Sequence, residues 1–283
     1  MANDFSGDAN CVALYNFANG DFTTDSIGGN TLTDNNAVGV EAVDFKTADQ
    51  CADFNGTDEF FSVADGDLDA GFPFKSGDTH KKISVCFWMK IGSLDATSQY
   101  QVSKYSTADA DRSWAAYIVG TSDWFKMIIG YNSGASFQAY DTFHALVTGR
   151  WYHVGVRFQD SDKSFTFRIW DDTASSVILD FDDNFTQNIW IDDADFCIGA
   201  RESGSSYFDG LLDEVVIFKD ILTDAEIDEI RAGTYGAAAG TNLQLNIGDA
   251  WKEVDAMQIN IGDVWKDVAG AQINIGDAWK EIF

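Results

Sequence analysis

Residues 83–90 read ISVCFWMK, and their alternation decides the architecture. Ile83, Val85, Phe87 and Met89 fall on one side of an extended chain, while Ser84, Cys86 and Trp88 fall on the other. Side chains of a strand point to opposite faces in turn, so the stretch reads as a strand with one face in a core. The same pattern recurs in short runs on both sides: CVALYNF (11–17), SWAAYIVG (113–120), WFKMIIGY (124–131), WYHVGVRF (151–158), SFTFRIW (164–170), SVILDF (176–181), DFCIGA (195–200) and LLDEVVIF (211–218). Polar turns separate them, and with 25 Gly but a single Pro the turn chemistry rests on Gly, Asn and Asp. Many short alternating segments without helical interludes predict antiparallel sheets packed as a sandwich or jelly roll, and exclude a βαβ architecture. One helix is expected in LTDAEIDEIRAG (222–233). There Thr223 and Glu226 form a capping box, Ile227 and Ile230 give an apolar edge, and Gly233 ends the helix.

Four segments, in order, carry a resemblance: CADFNGTDEFFSVAD (51–65), ISVCFWMK, RWYHVGVRF (150–158) and the run from FCIGA (196–200) through LLDEVVIF to DAEIDEI (224–230). Together they are similar to laminin-G-like domains of the concanavalin A-like group. The resemblance covers about residues 11–235 and implies an all-β, concanavalin A-like antiparallel β-sandwich (jelly roll) with one short helix. That fold serves lectins, adhesion modules, pentraxins and hydrolases, so function is to be sought in sites. Two positions depart from the pattern. Gly155 stands where the pentraxin branch has a cysteine that pairs with the one in the SVCFW strand, and Asp171–Asp172 replaces a common Asp-Gly hairpin.

The formal net charge of −28 repels phosphate backbones and anionic headgroups, which excludes nucleic acid as a partner. No run approaches the ~20 apolar residues of a membrane span, so no membrane insertion is expected. The opening residues lack the basic and apolar regions of a secretory signal. Cys11, Cys51, Cys86 and Cys197 follow no metal-ligand spacing and are expected to be reduced and buried.

For catalysis the laminarinase-type relatives need two carboxylates on one strand, and no sandwich strand has that spacing; Glu253–Val254–Asp255 lies in the tail. His80, His144 and His153 are scattered, with no nucleophile elbow, so no enzyme is expected and His153 is read as structural. The resemblance implies one structural calcium, with Asp25, Asn30 and Asp213 as candidate ligands. It also implies sugar recognition, which needs aromatic faces beside carboxylates and amides. Candidate loops carry Asp111, Arg112 and Trp114; Asp123 and Trp124; and Arg201, Glu202 and Tyr207.

The last forty residues are repetitive. Trp251, Trp265 and Trp279 recur every fourteen residues, as do Gly248, Gly262 and Gly276. Fourteen is two heptads, but Gly, Asn and Ile recur where a coiled coil wants helix formers. Each unit reads instead as a β-hairpin around a Gly-Asp turn, with Ile261 facing Val264, Ile259 facing Lys266 and Asn260 facing Trp265. The organisation expected is a jelly roll (1–236), a small-residue linker (237–243) and a tail of three hairpins (244–283). Such ribbons are too thin to bury a core alone. They are expected to serve oligomerisation or attachment through Ile259, Ile261, Val264, Trp251, Trp265 and Trp279, with a trimer favoured. The repeats are similar to segments of tailed-phage virion proteins. This predicts a capsid or tail-fibre protein made in a host cytoplasm and exposed on the particle, with other virion proteins and host-surface glycans as partners. A free-standing calcium-dependent lectin or adhesin is the alternative.

Overall fold

The computed structural model describes residues 3–95, 97–107, 111–202 and 204–236, together with six strands between 243 and 281. The chain divides into two compact units, Met1–Tyr235 and Gly236–Phe283.

The first unit contains β1 (Cys11–Tyr15), β2 (Thr33–Asn35), β3 (Gly39–Glu41), β4 (Cys51–Asn55), β5 (Phe60–Val63), β6 (Lys82–Ile91), β7 (Gln99–Tyr105) and β8 (Arg112–Ile118). It continues with β9 (Trp124–Tyr131), β10 (Ser136–Ala145), β11 (Trp151–Gln159), β12 (Ser164–Asp171), β13 (Ser176–Asn184), β14 (Phe196–Ile198), β15 (Asp209–Phe218) and α1 (Asp224–Ala232). One sheet runs β13-β12-β11-β6-β15-β4-β3 with β1 also against β15, and the other runs β10-β9-β8-β7-β14-β5-β2. Among the described residues the strand pairings are antiparallel, which is the expected sandwich.

The alternation of β6 does what its sequence dictates. Ile83, Val85, Phe87 and Met89 enter the core between the sheets, where Trp114, Phe125 and Ile129 of the facing sheet meet them. On its other face Cys86 lies under α1 with Val216, Leu222, Ile227 and Ile230, and Trp88 packs with Cys51 and Trp151. The capping box at Thr223 and Glu226 forms, and Gly233 closes the helix with φ 71°. Gly155 answers to the same helix: a Cβ there would lie 2.9 Å from two carbons of Ile227. The four cysteines are buried and free.

β15 changes partners halfway. Asp209–Leu212 pair with β4, whereas Val215–Phe218 pair with β1. The register against β6 shifts between Asp213 and Val216, and Glu214 takes φ 47° in this bulge, a conformation that L-residues other than Asn, Asp and His rarely adopt.

The second unit holds three separate hairpins: β16 (Leu243–Ile247) with β17 (Ala250–Val254), β18 (Gln258–Ile261) with β19 (Val264–Asp267), and β20 (Gln272–Ile275) with β21 (Ala278–Glu281). Register follows the sequence reading: Asn246 opposite Trp251, Asn260 opposite Trp265, and Asn274 opposite Trp279. Ile261 stands opposite Val264 and Ile259 opposite Lys266. The Gly-Asp turns, the connectors and most of the linker lie outside the described residues.

Candidate ligand-binding face

The outward face of the second sheet carries tyrosines where period-two reading gives no aromatic stripe. Tyr100 and Tyr105 both point outward, although five residues apart, because β7 shifts register between Tyr100 and Val102 and again at Lys104/Tyr105. Tyr117 of β8 stacks on Tyr100 with ring centroids 4.6 Å apart and planes 8° from parallel. Burial pushes the Tyr100 hydroxyl up to about 12, with Tyr105 adding to the rise and Arg201 opposing it.

The loop between β14 and β15 closes over these rings and is laced to β7. Gly199 N–H donates to Gln101 O at 2.9 Å, Glu202 N–H to Tyr105 O at 3.2 Å, and Tyr100 N–H to Ser206 O at 3.1 Å. The Arg201 guanidinium lies 5.8 Å from the centre of Tyr100 and donates to Ser205 Oγ at 2.7 Å. Glu202 accepts from Asp195 N–H at 3.0 Å. Its carboxyl is pushed up to about 7, first by burial and then by the charges of Asp195 and Asp111. Asp111, just before β8, thus reaches the same place, and Arg112 at the start of β8 donates to Gly134 O at 2.6 Å.

At its other end the same β14–β15 loop forms one wall of a cleft of about 280 Å³ that includes Asn55, Asp95, Gln99, Tyr207 and Asp209. Glycine opens this cleft. A Cβ at Gly92 would lie 2.8 Å from Asp209 Oδ1, and one at Gly56 (φ 69°) would lie 2.7 Å from Asp209 Cβ. Gln99 ties the walls together, donating to Ser93 O at 2.9 Å and accepting from Asp209 N–H at 3.1 Å. Tyr207 rests on Phe60 with centroids 6.1 Å apart, its ring half-buried at the cleft edge. An aromatic face among carboxylates and amides is the surface that a sugar ring with its hydroxyls requires.

The structure therefore brings Asp111, Arg112, Arg201, Glu202 and Tyr207 to one face. It removes Trp114, which is fully buried between the sheets because it lies on the inward side of β8. It also sets apart Asp123 and Trp124. Asp123 ends the β8–β9 turn and Trp124 starts β9, at the opposite end of β8 from Asp111, and Asp123 O accepts from Leu146 N–H at 2.9 Å.

The oxygens of the expected calcium ligands have protein donors, and Asp25 and Asn30 bond to each other. Asp25 accepts from Leu14 N–H, Ile27 N–H, Asn30 N–H and the Asn30 amide, and Asn30 Oδ1 accepts from Asp69 N–H. Asp213 accepts from Lys46 N–H, Thr47 N–H and the Thr47 hydroxyl. A carboxylate offers about four lone-pair sites, so Asp25 and Asn30 act as a turn lock and Asp213 as an anchor for residues 46–47. Among the described residues, Asp111, Asp192 and Asp193 instead bring one carboxylate oxygen each within 4.8 Å of one another, a donor set suited to a hard cation. Neither of the latter two was legible in sequence, because they follow no ligand spacing. Exposed Trp190 stands beside them, its Nε1–H donating to Asp192 Oδ2 at 2.8 Å. His153 is fully buried against Trp88, its pKa depressed to about 3 chiefly by desolvation, which agrees with a structural role.

The model of the concanavalin A-like lectin/glucanases superfamily matches residues 64–228. Among solved structures, domain 4 of a GH43 extracellular arabinanase from Geobacillus stearothermophilus, in complex with arabinotriose, is similar at TM-score 0.52 and 20% identity. That match covers 78% of this chain and 98% of that one. The binding domain of Paraclostridial Mosquitocidal Protein 1 is similar at TM-score 0.58 and 12% identity, covering 94% and 71%. The botulinum neurotoxin serotype D binding domain is similar at 0.56 and 12%, covering 92% of this chain and 62% of that one. At these identities the shared property is the fold. No curated protein matches the sequence.

Proposed function

Because this chain belongs to the concanavalin A-like lectin/glucanases superfamily, we propose that its sandwich is a non-enzymatic glycan-binding head. The observation that carries the reading is the β14–β15 loop, which presents Arg201 over a tyrosine floor at one end and Tyr207 on a carboxylate-lined cleft at the other. Its structural neighbours agree with this reading: two are binding domains and one is in complex with arabinotriose. The head is borne on an attachment tail, and the whole serves as a phage capsid-decoration or tail-fibre protein that self-associates, as a trimer, and holds to other virion proteins through its repeats. This part is supported by the three hairpins and their likeness to virion segments. A glycan array probed with the full chain and with Tyr207→Ala tests the head. Retained ligands that the variant loses are expected; an array without any hit overturns glycan recognition and leaves decoration alone.

A second reading, a calcium-dependent lectin, draws on the clustering of Asp111, Asp192 and Asp193 beside Trp190. Calcium added to EDTA-treated protein is then expected to raise the melting temperature of the native chain and not that of Asp192→Asn. An unchanged melting temperature in both removes calcium.

A further inference from the structure

A second cavity, of about 220 Å³, lies on the other sheet, between its outer face, the C-terminal turn of α1 and the turn at 46–48. Glu214 lines it. This side chain is only 7% exposed, and the bulge in β15 aims it by holding its backbone in the left-handed region. Such strain persists where surrounding structure enforces it, commonly beside functional sites. Oε1 of Glu214 accepts from the Asn3 amide at 2.9 Å. Oε2 is buried, and among the described residues no donor reaches it.

Among the described residues most donors on the walls are committed, while Arg231 Nε is buried without a hydrogen-bond partner and, like the rest of the wall, does not reach Oε2. Asn3 Nδ2 also donates to Ile230 O at 2.8 Å. The backbone and hydroxyl of Thr47 serve Asp213. Lys46 Nζ pairs with Asp172 at 2.8 Å and lies 4.6 Å from the centre of the Trp88 ring. Arg231 stacks on Trp170 at 3.9 Å and faces Asp228 at 3.6 Å. Lys46 thus has Asp172 as its counter-ion, and Arg231 shares Asp228 with Arg168, which itself also pairs with Asp180. The remaining potential is negative: the Glu214 carboxylate, Asp213 behind it, and the C-terminal end of α1, where Ile230, Arg231, Ala232 and Gly233 form a wall. A buried carboxylate oxygen left without a donor is costly, so the donor has to come from outside the wall.

We propose that this cavity binds a small ligand through a primary ammonium group, which donates to Glu214 Oε2 and is held by the C-terminal carbonyl end of α1. The volume suits a few heavy atoms rather than an oligosaccharide, and the site is independent of the glycan face on the opposite sheet.

Titration calorimetry of the full chain with ethanolamine, and with its uncharged counterpart ethylene glycol, tests the proposal. Saturable heat with ethanolamine alone is expected, lost at least tenfold in affinity in Glu214→Gln. Ala232→Trp, which crowds the cavity from the exposed end of the helix while keeping the carboxylate, is expected to weaken ethanolamine similarly. Thermal melts of each variant confirm that it is folded. Equal heats with both probes, no saturable heat, or unchanged binding in both folded variants overturns the proposal. So does a calcium titration of EDTA-treated protein that shows Glu214-dependent binding where ethanolamine shows none, since the cavity would then be a metal site.

Discussion

Single side chains in this molecule have readable consequences. Gly155 is required by contact rather than by backbone angle, because Ile227 of the helix sits where a Cβ would go. Gly155→Ala is therefore expected to cost about 1–3 kcal/mol through overpacking, seen as a melting temperature lowered by several degrees. Glu214 makes stability depend on pH. Burial raises its carboxyl from an ordinary 4.5 to about 7, and Asp213 beside it is raised to about 6 for the same reason. A raised carboxyl means that the folded state holds its proton more tightly than the unfolded state. The stabilisation is then full below the ordinary value and is lost as pH climbs through about 7. Glu214→Gln cannot ionise, so its unfolding free energy is expected to exceed that of the native chain at pH about 8, by on the order of 3 kcal/mol at most, with a correspondingly higher melting temperature, and to equal it near pH 4. A constant difference across that range would refute the assignment. On the proposed glycan face, Tyr207→Ala is expected to weaken glycan binding about tenfold, as loss of an aromatic contact does, with the melting temperature little changed.

Among the elements, α1 was the most legible, and it shows why. Its signals are local: Thr223 caps, Glu226 bonds back, and Gly233 takes a positive φ, all within one short window. Thr223→Ala is expected to cost about 1 kcal/mol, measured by denaturant unfolding. The strands were equally legible wherever period two holds, as in β6 and β11. Reading failed where the register breaks. The bulges in β7 put Tyr100 and Tyr105 on the same face, and no periodic rule marks such a pair in advance. Trp114 was misplaced for a related reason: which side of β8 faces the partner sheet depends on pairing that a single strand does not disclose. The approach of Asp111 to Glu202 is also a property of sheet order, because β14 inserts beside β7 from nearly a hundred residues away. The hairpins of the tail, by contrast, were written plainly, since each Asn–Trp pairing spans only a few residues.

At the scale of the whole molecule, two units share one chain, and their physical needs differ. The sandwich buries a large aromatic core of its own, whereas each ribbon of the second unit is a two-stranded sheet, a form that is marginal in water by itself. Light scattering of the full chain against a chain ending at Tyr235 is expected to show a higher mass only when the repeats are present; equal oligomeric states would refute self-association through them. The sandwich has a seam of its own. Because β15 gives its second half to β1, the earliest strand of the chain latches onto one of the last. Removing residues 1–15 would bare the edge of Val215–Phe218, a flat apolar template whose amide and carbonyl groups any loose strand could capture. Such a shortened chain is expected to exchange strands with its own copies and precipitate, and a synthetic CVALY peptide supplied in trans should keep it dispersed.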